Sequence, residues 1–260
     1  MPYHQPDALR FYTFDLLYTH KVQHAVFTRQ GGVSPAPWAE LNVGGTVGDE
    51  LERVRENRRL CFQTLQRLPQ TMYDSWLVHR SDVIFVEAPR PLDVRPLQAD
   101  TILTDQPNVT LFMRFADCVP ILLHDPQRGV VGLVHAGWLG TVRAAVRTAV
   151  EAMAAHYGSH PADVLAAIGP SIGPDHYEVG PDVVMQVTQA FGADASGLLE
   201  NHNGSVHFDL WAANRLLLEQ AGVRHIDVSR LCTACNVGDW YSHRAEKGRT
   251  GRFGALIGLS

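Results

Sequence analysis

Cys118 and His135 bracket the stretch of the chain richest in chemistry. Ala116-Asp117-Cys118-Val119-Pro120 leads into it, and Val134-His135-Ala136-Gly137-Trp138 leads out. Between them lie two apolar runs, 121–124 and 130–134, split by Asp125-Pro126-Gln127-Arg128-Gly129. Those five residues are strong turn formers, and two such runs around a short turn read as a β-hairpin. A simple antiparallel register centred in the turn sets residue 118 opposite residue 135. Directly opposed residues share a face, with Cα atoms roughly 4.5–5.5 Å apart. A thiolate and an imidazole at that separation can hold one metal ion, or share one proton so that the cysteine becomes a nucleophile.

A metal needs a third ligand. His79 closes a strand-like run, Trp76-Leu77-Val78-His79, and polar Arg80-Ser81-Asp82 follows it. A lone histidine is more often structural than ligating, and His243 is the next candidate, so spacing alone leaves this position open. Cys plus two His with one open position is a catalytic zinc arrangement, able to polarise a substrate oxygen or to lower the pKa of a water to about 7. After His135, Gly137 and Gly140 enter a helix. Free N–H groups there suit an anion such as phosphate, although a tight strand-to-helix turn needs the same glycines.

Other elements must position these groups. Thr141 is placed to cap a helix running to about residue 157, with Val142, Val146, Ala149, Val150 and Met153 as its buried stripe and Gly158 as its stop. Pro181 suits the first turn of a helix that Gly192 ends, and Asp209 caps another that stops at Gly222. Asp49 is expected to cap a helix over 50–68. There Arg53, Arg55, Arg58 and Arg59 interleave with Glu50, Glu52 and Glu56, a solvated face, while Cys61 joins an apolar stripe with Leu51, Val54, Leu65 and Leu68. Strands are expected at 24–28, 75–79, 83–87, 110–115, 119–124, 130–135, 165–168 and 252–258. Runs of strands punctuated by helices, without strict alternation, read as α+β: mixed β-sheets packed with flanking helices in a single domain, 1–260.

Composition sets the outer bounds. The 260 residues are 45% hydrophobic and 19% charged, which are globular values. A chain of this length buries about 73% of its extended-state surface and needs no staples. No apolar run approaches the ~18 residues of a membrane span. Residues 1–21 lack the basic start, apolar middle and small-residue cleavage site of a signal peptide, so the cytoplasm is the expected location. Net charge is 22 − 27 = −5, which argues against nucleic acid as a partner. Cys232 and Cys235 form a CxxC, but a structural zinc site would want a second CxxC or a close His pair, and neither lies nearby in the sequence.

Further motifs run through the chain in order. They include Phe27-Thr28-Arg29-Gln30-Gly31-Gly32-Val33-Ser34, Leu41-Asn42-Val43-Gly44, Val47-Gly48-Asp49, Asn57-Arg58, Ala99-Asp100, Ile168-Gly169-Pro170-Ser171-Ile172, Tyr177-Glu178-Val179, Phe208-Asp209-Leu210, Leu231-Cys232-Thr233 and Thr250-Gly251-Arg252. Together with the Ala-Asp-Cys and His-Ala-Gly-Trp stretches, they resemble the bacterial laccase-domain family. That family has been labelled multicopper polyphenol oxidoreductase, purine nucleoside phosphorylase with adenosine deaminase activity and, in one branch, peptidoglycan editing factor. The resemblance implies a laccase-domain, cytotoxic-necrotizing-factor-like fold. It also implies zinc, with copper (Cu) as the alternative ion, bound by His79, Cys118 and His135. Two positions depart from the family pattern: Leu139 stands where Arg is usual, removing one positive charge, and Val78 stands where Gln commonly precedes the His.

The resemblance implies a zinc-dependent purine nucleoside phosphorylase acting on adenosine, inosine, guanosine and methylthioadenosine, with adenosine deaminase activity. Its partners would be a small-molecule nucleoside and phosphate. Arg29 beside Gly31-Gly32 is a candidate phosphate ligand or a turn arginine, and Asn42 a nucleoside contact or a turn former. Arg244 is a cleft residue or one half of a surface ion pair. The alternative is a Cys118/His135 hydrolase or amidase acting in peptidoglycan precursor editing. Copper-dependent polyphenol oxidation is disfavoured, because multicopper sites draw on paired His-x-His motifs and the thirteen histidines here contain none.

Overall fold

The computed structural model describes residues 3–20, 22–91, 93–202 and 204–260. The chain runs through β1 (Tyr3–His4), β2 (Phe11–Tyr12), α1 (Asp15–Tyr18), β3 (Gln23–Phe27), α2 (Leu51–Thr64), β4 (Met72–Asp74), β5 (Val83–Phe85), β6 (Thr101–Thr104), β7 (Thr110–Phe115), β8 (Val119–Asp125) and β9 (Val130–Ala136). Then come α3 (Trp138–Val142), α4 (Ala145–Tyr157), β10 (Leu165–Ile168), α5 (Pro181–Phe191), β11 (Leu199–His202), β12 (Ser205–Phe208), α6 (Leu210–Gln220), β13 (His225–Val228) and β14 (Phe253–Gly258). None of the described helices is long and apolar enough to cross a membrane.

Two six-stranded sheets carry the fold, in the orders β1-β2-β3-β14-β7-β4 and β13-β10-β8-β9-β6-β5, with β11-β12 as a separate ribbon. Both large sheets are mixed: β4–β7, β5–β6 and β10–β13 pair in parallel, and the remaining neighbours pair antiparallel. Side-chain alternation sorts the strands into layers. Leu111, Met113 and Phe115 of β7 and Ala255 and Ile257 of β14 meet Leu122 of β8 and Val131 and Leu133 of β9 between the sheets. Ile121, Leu123 and Val134 point the other way, onto α4 and α6. Phe112 and Leu256 point outward from the first sheet onto Cys61 and Phe62 of α2. The result is a helix–sheet–sheet–helix stack whose central strands are covered on both faces, in keeping with the α+β expectation.

The β8–β9 hairpin forms, with a register two residues from the expected one. Pro120 pairs with His135 and Asp125 with Val130. Asp125 accepts hydrogen bonds from the N–H groups of Gln127 and Arg128, and Gly129 takes φ +62, so the loop is the four residues 126–129. A two-residue slip preserves the face, so Cys118 stays on His135's side although it lies opposite residue 137.

Several other expectations are corrected. The 75–79 segment is not a strand; the strand there is β4, and His79 sits in a turn at φ +58. The 141–157 helix is two helices broken at Ala144, which is left-handed, and Thr141 lies within the first of them. Asp49 does not cap α2 through its side chain; it accepts from Ser34 Oγ and Asn42 Nδ2 instead. Leu51 and Leu68 are exposed, although Cys61 and Val54 are buried. Asp209 does cap α6, accepting from the Ala212 N–H.

Asn57, fully buried on α2, organises the long loop before that helix. Its Oδ1 accepts the Val33 N–H, and its amide donates to Ser34 Oγ and to the Asn42 carbonyl. Asn57→Ala is expected to lower unfolding free energy by about 2–4 kcal/mol, because each orphaned buried group costs roughly 1–3 kcal/mol. Chemical denaturation of the two proteins measures it.

Candidate metal centre

Three loops and one strand end meet at a single edge of the second sheet. His135 is the penultimate residue of β9, Cys118 directly precedes β8, and Asp100 directly precedes β6. His79 arrives on the β4–β5 connection. The ligand atoms of His79, Cys118 and His135 all lie within 4.8 Å of one another. His135 is buried, Cys118 partly buried and His79 exposed, so the group opens on one side.

Asp100 is fully buried and sets two of these ligands. Its Oδ1 lies 2.9 Å from His135 Nδ1, which leaves Nε2 free for the shared centre. Its Oδ2 accepts the backbone N–H groups of Val78 and Arg80, at 3.1 and 2.8 Å. Those bonds brace His79 in the left-handed region, a conformation that costs a non-glycine residue roughly 1–2 kcal/mol. Asp117, at φ +82, is braced in the same way: it accepts from Thr233 Oγ1 and the Arg244 N–H, and its carbonyl accepts from the Ile172 N–H. Gly137 leaves room beside the ligands, since a Cβ there would stand 2.9 Å from Cys118 Sγ and 3.3 Å from His79 Cδ2.

Electrostatics ready the donors. Burial pushes the Cys118 thiol up, but the imidazoles of His135 and His79 outweigh it and bring it down to about 6. Burial works against a charged His135, yet the Cys118 sulfur and the Asp100 carboxylate raise it to about 9. Asp100 is held below the usual carboxylate range: burial opposes this, and the His135 contact with the two backbone donors prevails. Two imidazoles and a thiolate, with a carboxylate behind one imidazole and open space in front, fit a divalent ion of the zinc or copper kind.

A family model described as multi-copper polyphenol oxidoreductase laccase matches residues 23–260. The chain belongs to that family. A Deinococcus radiodurans protein named purine nucleoside phosphorylase is 40% identical to it, over 92% of this chain and 89% of its own length. Bacillus subtilis YlmD, also named purine nucleoside phosphorylase, is 36% identical over 89% of this chain and 86% of its own. Among solved structures, the Bacillus licheniformis hypothetical protein YfiH matches with a TM-score of 0.92 at 31% identity, covering 100% of this chain and 99% of that one. Geobacillus stearothermophilus YlmD matches with a TM-score of 0.92 at 32% identity, covering 99% and 98%. The resemblance carried by the motifs and the fold it implied are both borne out.

In this laccase-domain chain the candidate centre lies in a cleft of about 850 Å³. Arg58, Arg90, Arg95, Arg114, Arg244 and Arg252 line it against Asp74, Asp93 and Asp117, so the cleft is cationic although the chain is anionic. Asp74, fully buried, sits between Arg90 Nε and Arg114 Nη1, each at 2.7 Å. Arg58 donates to the Val43 carbonyl and lies over the Phe112 ring. Burial and the neighbouring Arg114 lower it to about 10, which still leaves it charged at neutral pH. Trp76 and Tyr177 add aromatic surface to the walls.

The sequence-predicted residues divide. His79, Cys118 and His135 come together, and Arg244 lines the cleft, stacked over Tyr177 and donating to the Glu178 carbonyl. Arg29 does not reach the cleft. Its guanidinium serves the Ala39 and Val237 carbonyls and Glu246, over the Tyr241 ring. Asn42 is fully buried and holds backbone: its Oδ1 accepts the N–H groups of Gly44 and Arg252, fixing two cleft-lining residues without facing the space itself. Neither Leu139 nor Val78 lines the cleft. Sequence reasoning missed Asp100 and the arginines at 58, 90, 114 and 252. The need of a ligating imidazole for a buried acceptor was the available signal for Asp100.

In the reduced, metal-free protein, the ultraviolet thiolate band assigned by difference to Cys118→Ala is expected to persist at pH 7 and vanish as the pH falls through about 6. His135→Gln removes the main charge that lowers the thiol, so the band is expected only well into the alkaline range.

Proposed function

We propose that this chain is a zinc-dependent purine nucleoside phosphorylase acting on adenosine, inosine, guanosine and methylthioadenosine, with adenosine deaminase activity. The observation that carries the reading is the sharing of one cleft by a Cys/His/His centre and a group of three arginines, Arg58, Arg90 and Arg114, around a single carboxylate, Asp74. Three guanidiniums against one carboxylate leave charge for a phosphate to neutralise, and guanidinium groups fork naturally onto its oxygens. The names of the relatives point the same way.

In phosphorolysis a phosphate oxygen bonds to the ribose anomeric carbon as the bond from that carbon to the purine nitrogen breaks, and the purine leaves with the electron pair. The arginines would hold the phosphate for attack, and Trp76 and Tyr177 would cover the flat base. Arg244 and Arg252, on the wall beside Asp117 and Cys118, would face the charge that develops on the leaving purine. His79, Cys118 and His135 would hold a zinc ion, which would supply Lewis acidity for removal of an exocyclic amino group. One Cys/His/His centre lacks the ligands for the several coppers of a true laccase.

A second reading draws on Cys118, His135 and Asp100, which line up as nucleophile, base and orienting carboxylate, with the thiol already brought to about 6. A hydrolase or amidase acting in peptidoglycan precursor editing would use that line without a metal, and would keep full activity after chelation.

Zinc-loaded protein incubated with adenosine and phosphate is expected to yield adenine and ribose 1-phosphate, and inosine where deamination occurs. Cys118→Ala is expected to lose the zinc of this centre and at least about a hundredfold of this activity together, the size of effect that loss of an electrostatic catalyst produces. No turnover of any purine nucleoside overturns the reading. Arg58→Met keeps the packing on Phe112 and is expected to raise the KM for phosphate roughly 10–100-fold, as the loss of one charge-assisted hydrogen bond worth about 1.5–3 kcal/mol implies. Zinc content should not change.

A further inference from the structure

A second group of ligand-type side chains stands apart from the cleft centre. Asp175, His176, Cys232 and Cys235 place one donor atom each within 4.8 Å of all the others. The CxxC thus finds its missing partners 56 residues or more upstream, on the loop that follows β10. None of these four residues lines the cleft.

Four of the six separations among these donors are close to the edges of a coordination tetrahedron. His176 Nδ1 lies 3.5 Å from Cys235 Sγ and 3.9 Å from Cys232 Sγ. Asp175 Oδ2 lies 3.6 Å from Cys235 Sγ and 3.1 Å from His176 Nδ1. A tetrahedral zinc with ordinary bond lengths has sulfur–nitrogen and sulfur–oxygen edges of about 3.6 Å and a nitrogen–oxygen edge of about 3.3 Å. These four separations fall within about 0.3 Å of those edges, and the remaining two lie within 4.8 Å.

The surrounding backbone favours charged sulfur. The Gly173 N–H donates to Cys232 Sγ at 3.1 Å, a bond that strengthens when the sulfur is a thiolate. Gly173 itself permits the approach: a Cβ there would lie 2.8 Å from Asp175 Oδ1, 3.0 Å from the Trp211 ring and 3.1 Å from Cys232 Cβ. A short parallel bridge joins Ser171 to Cys232, and the Thr233 N–H donates to the Ser171 carbonyl, so the two loops are registered before any ion arrives. A Cys232–Cys235 disulfide would need none of these features, and it would leave the imidazole and carboxylate with only each other.

We propose that Asp175, His176, Cys232 and Cys235 form a second divalent-metal site of the zinc type, closed by four protein ligands and structural in role. Four protein donors leave no open position for a substrate. The site clips the 171–177 loop to the 231–236 loop. Both loops touch Asp117, through the Ile172 N–H and Thr233 Oγ1, and Tyr177 on the first of them lines the cleft. The clip therefore fixes one wall of the cleft at a distance from the reacting groups.

Metal content of the full-length chain, produced with zinc under reducing conditions, tests this independently of the catalytic reading. Wild type is expected to hold two zinc ions per chain, Cys118→Ala one, Cys235→Ser one, and the double variant none. Cobalt substituted into Cys118→Ala is expected to show an intense sulfur-to-metal charge-transfer band that Cys235→Ser or His176→Gln removes. Both of those residues are exposed, so the substitutions spare the core. Loss of this ion is expected to lower the unfolding midpoint by at least about 5 °C, the scale set by saturating a site present only in the folded state. A Cys118→Ala chain that folds and binds no stoichiometric metal overturns the proposal. So does a reduced-state mass lighter by two hydrogens, mapped to a Cys232–Cys235 disulfide.

Discussion

Everything at the candidate centre hangs from the buried carboxylate of Asp100. One oxygen meets His135 Nδ1, the other takes the N–H groups on either side of His79, and its own carbonyl takes the His135 N–H. Burying a charge is costly unless its lone pairs are filled, and here donors from one loop and one strand end fill them. The same contacts leave the other imidazole nitrogen of His135 for the shared centre and hold a strained turn in place. The Cys/His/His set is thus only half of the design; the other half is the carboxylate that stands behind it.

The layered architecture explains why the cleft has two chemical halves. Asp74 and Arg114 belong to β4 and β7 of the first sheet, and Arg58 belongs to the helix that covers it. His135, Cys118 and Asp100 stand at the ends of β9, β8 and β6 of the second. Face-to-face sheets pack about 10 Å apart, so the arginine group and the Cys/His/His group are spaced by the interlayer core itself. Rigid strands supply the registration, and short loops supply the reach.

Much of this was legible beforehand, for physical reasons that differ by element. Strands at 110–115 and 165–168 announced themselves as apolar runs, because sheets covered on both faces have no polar side to alternate with. The convergence of Cys118 with His135 followed from hairpin topology and survived an error in register, since a slip of two keeps the face. His79 came from family resemblance, not spacing: its position depends on a left-handed turn stabilised from Asp100, twenty-one residues on. Short strands such as β4 (Met-Tyr-Asp) and β6 (Thr-Ile-Leu-Thr) escaped notice because their polar residues break the apolar run that marks the equally short β10. Arg29 and Asn42 stayed open because glycine-flanked arginines and turn asparagines look alike whether they serve a ligand or their own backbone; both are found on backbone groups. Arg58 looked like one more solvated charge among its neighbours; only the turn of α2 shows that it faces inward while Arg53, Arg55 and Arg59 pair with glutamates outside.

The contrast between an acidic molecule and its arginine-rich cleft bears on how reactants arrive. At long range the net charge of −5 repels anions, whereas the low-dielectric walls near the mouth concentrate the opposite field. Dissolved salt with a Debye length of about 8–10 Å mutes the distant repulsion more than the local attraction. Approach of any small anion to this cleft therefore varies with ionic strength in a way that approach of an uncharged molecule does not, and the two arrivals obey separate rules.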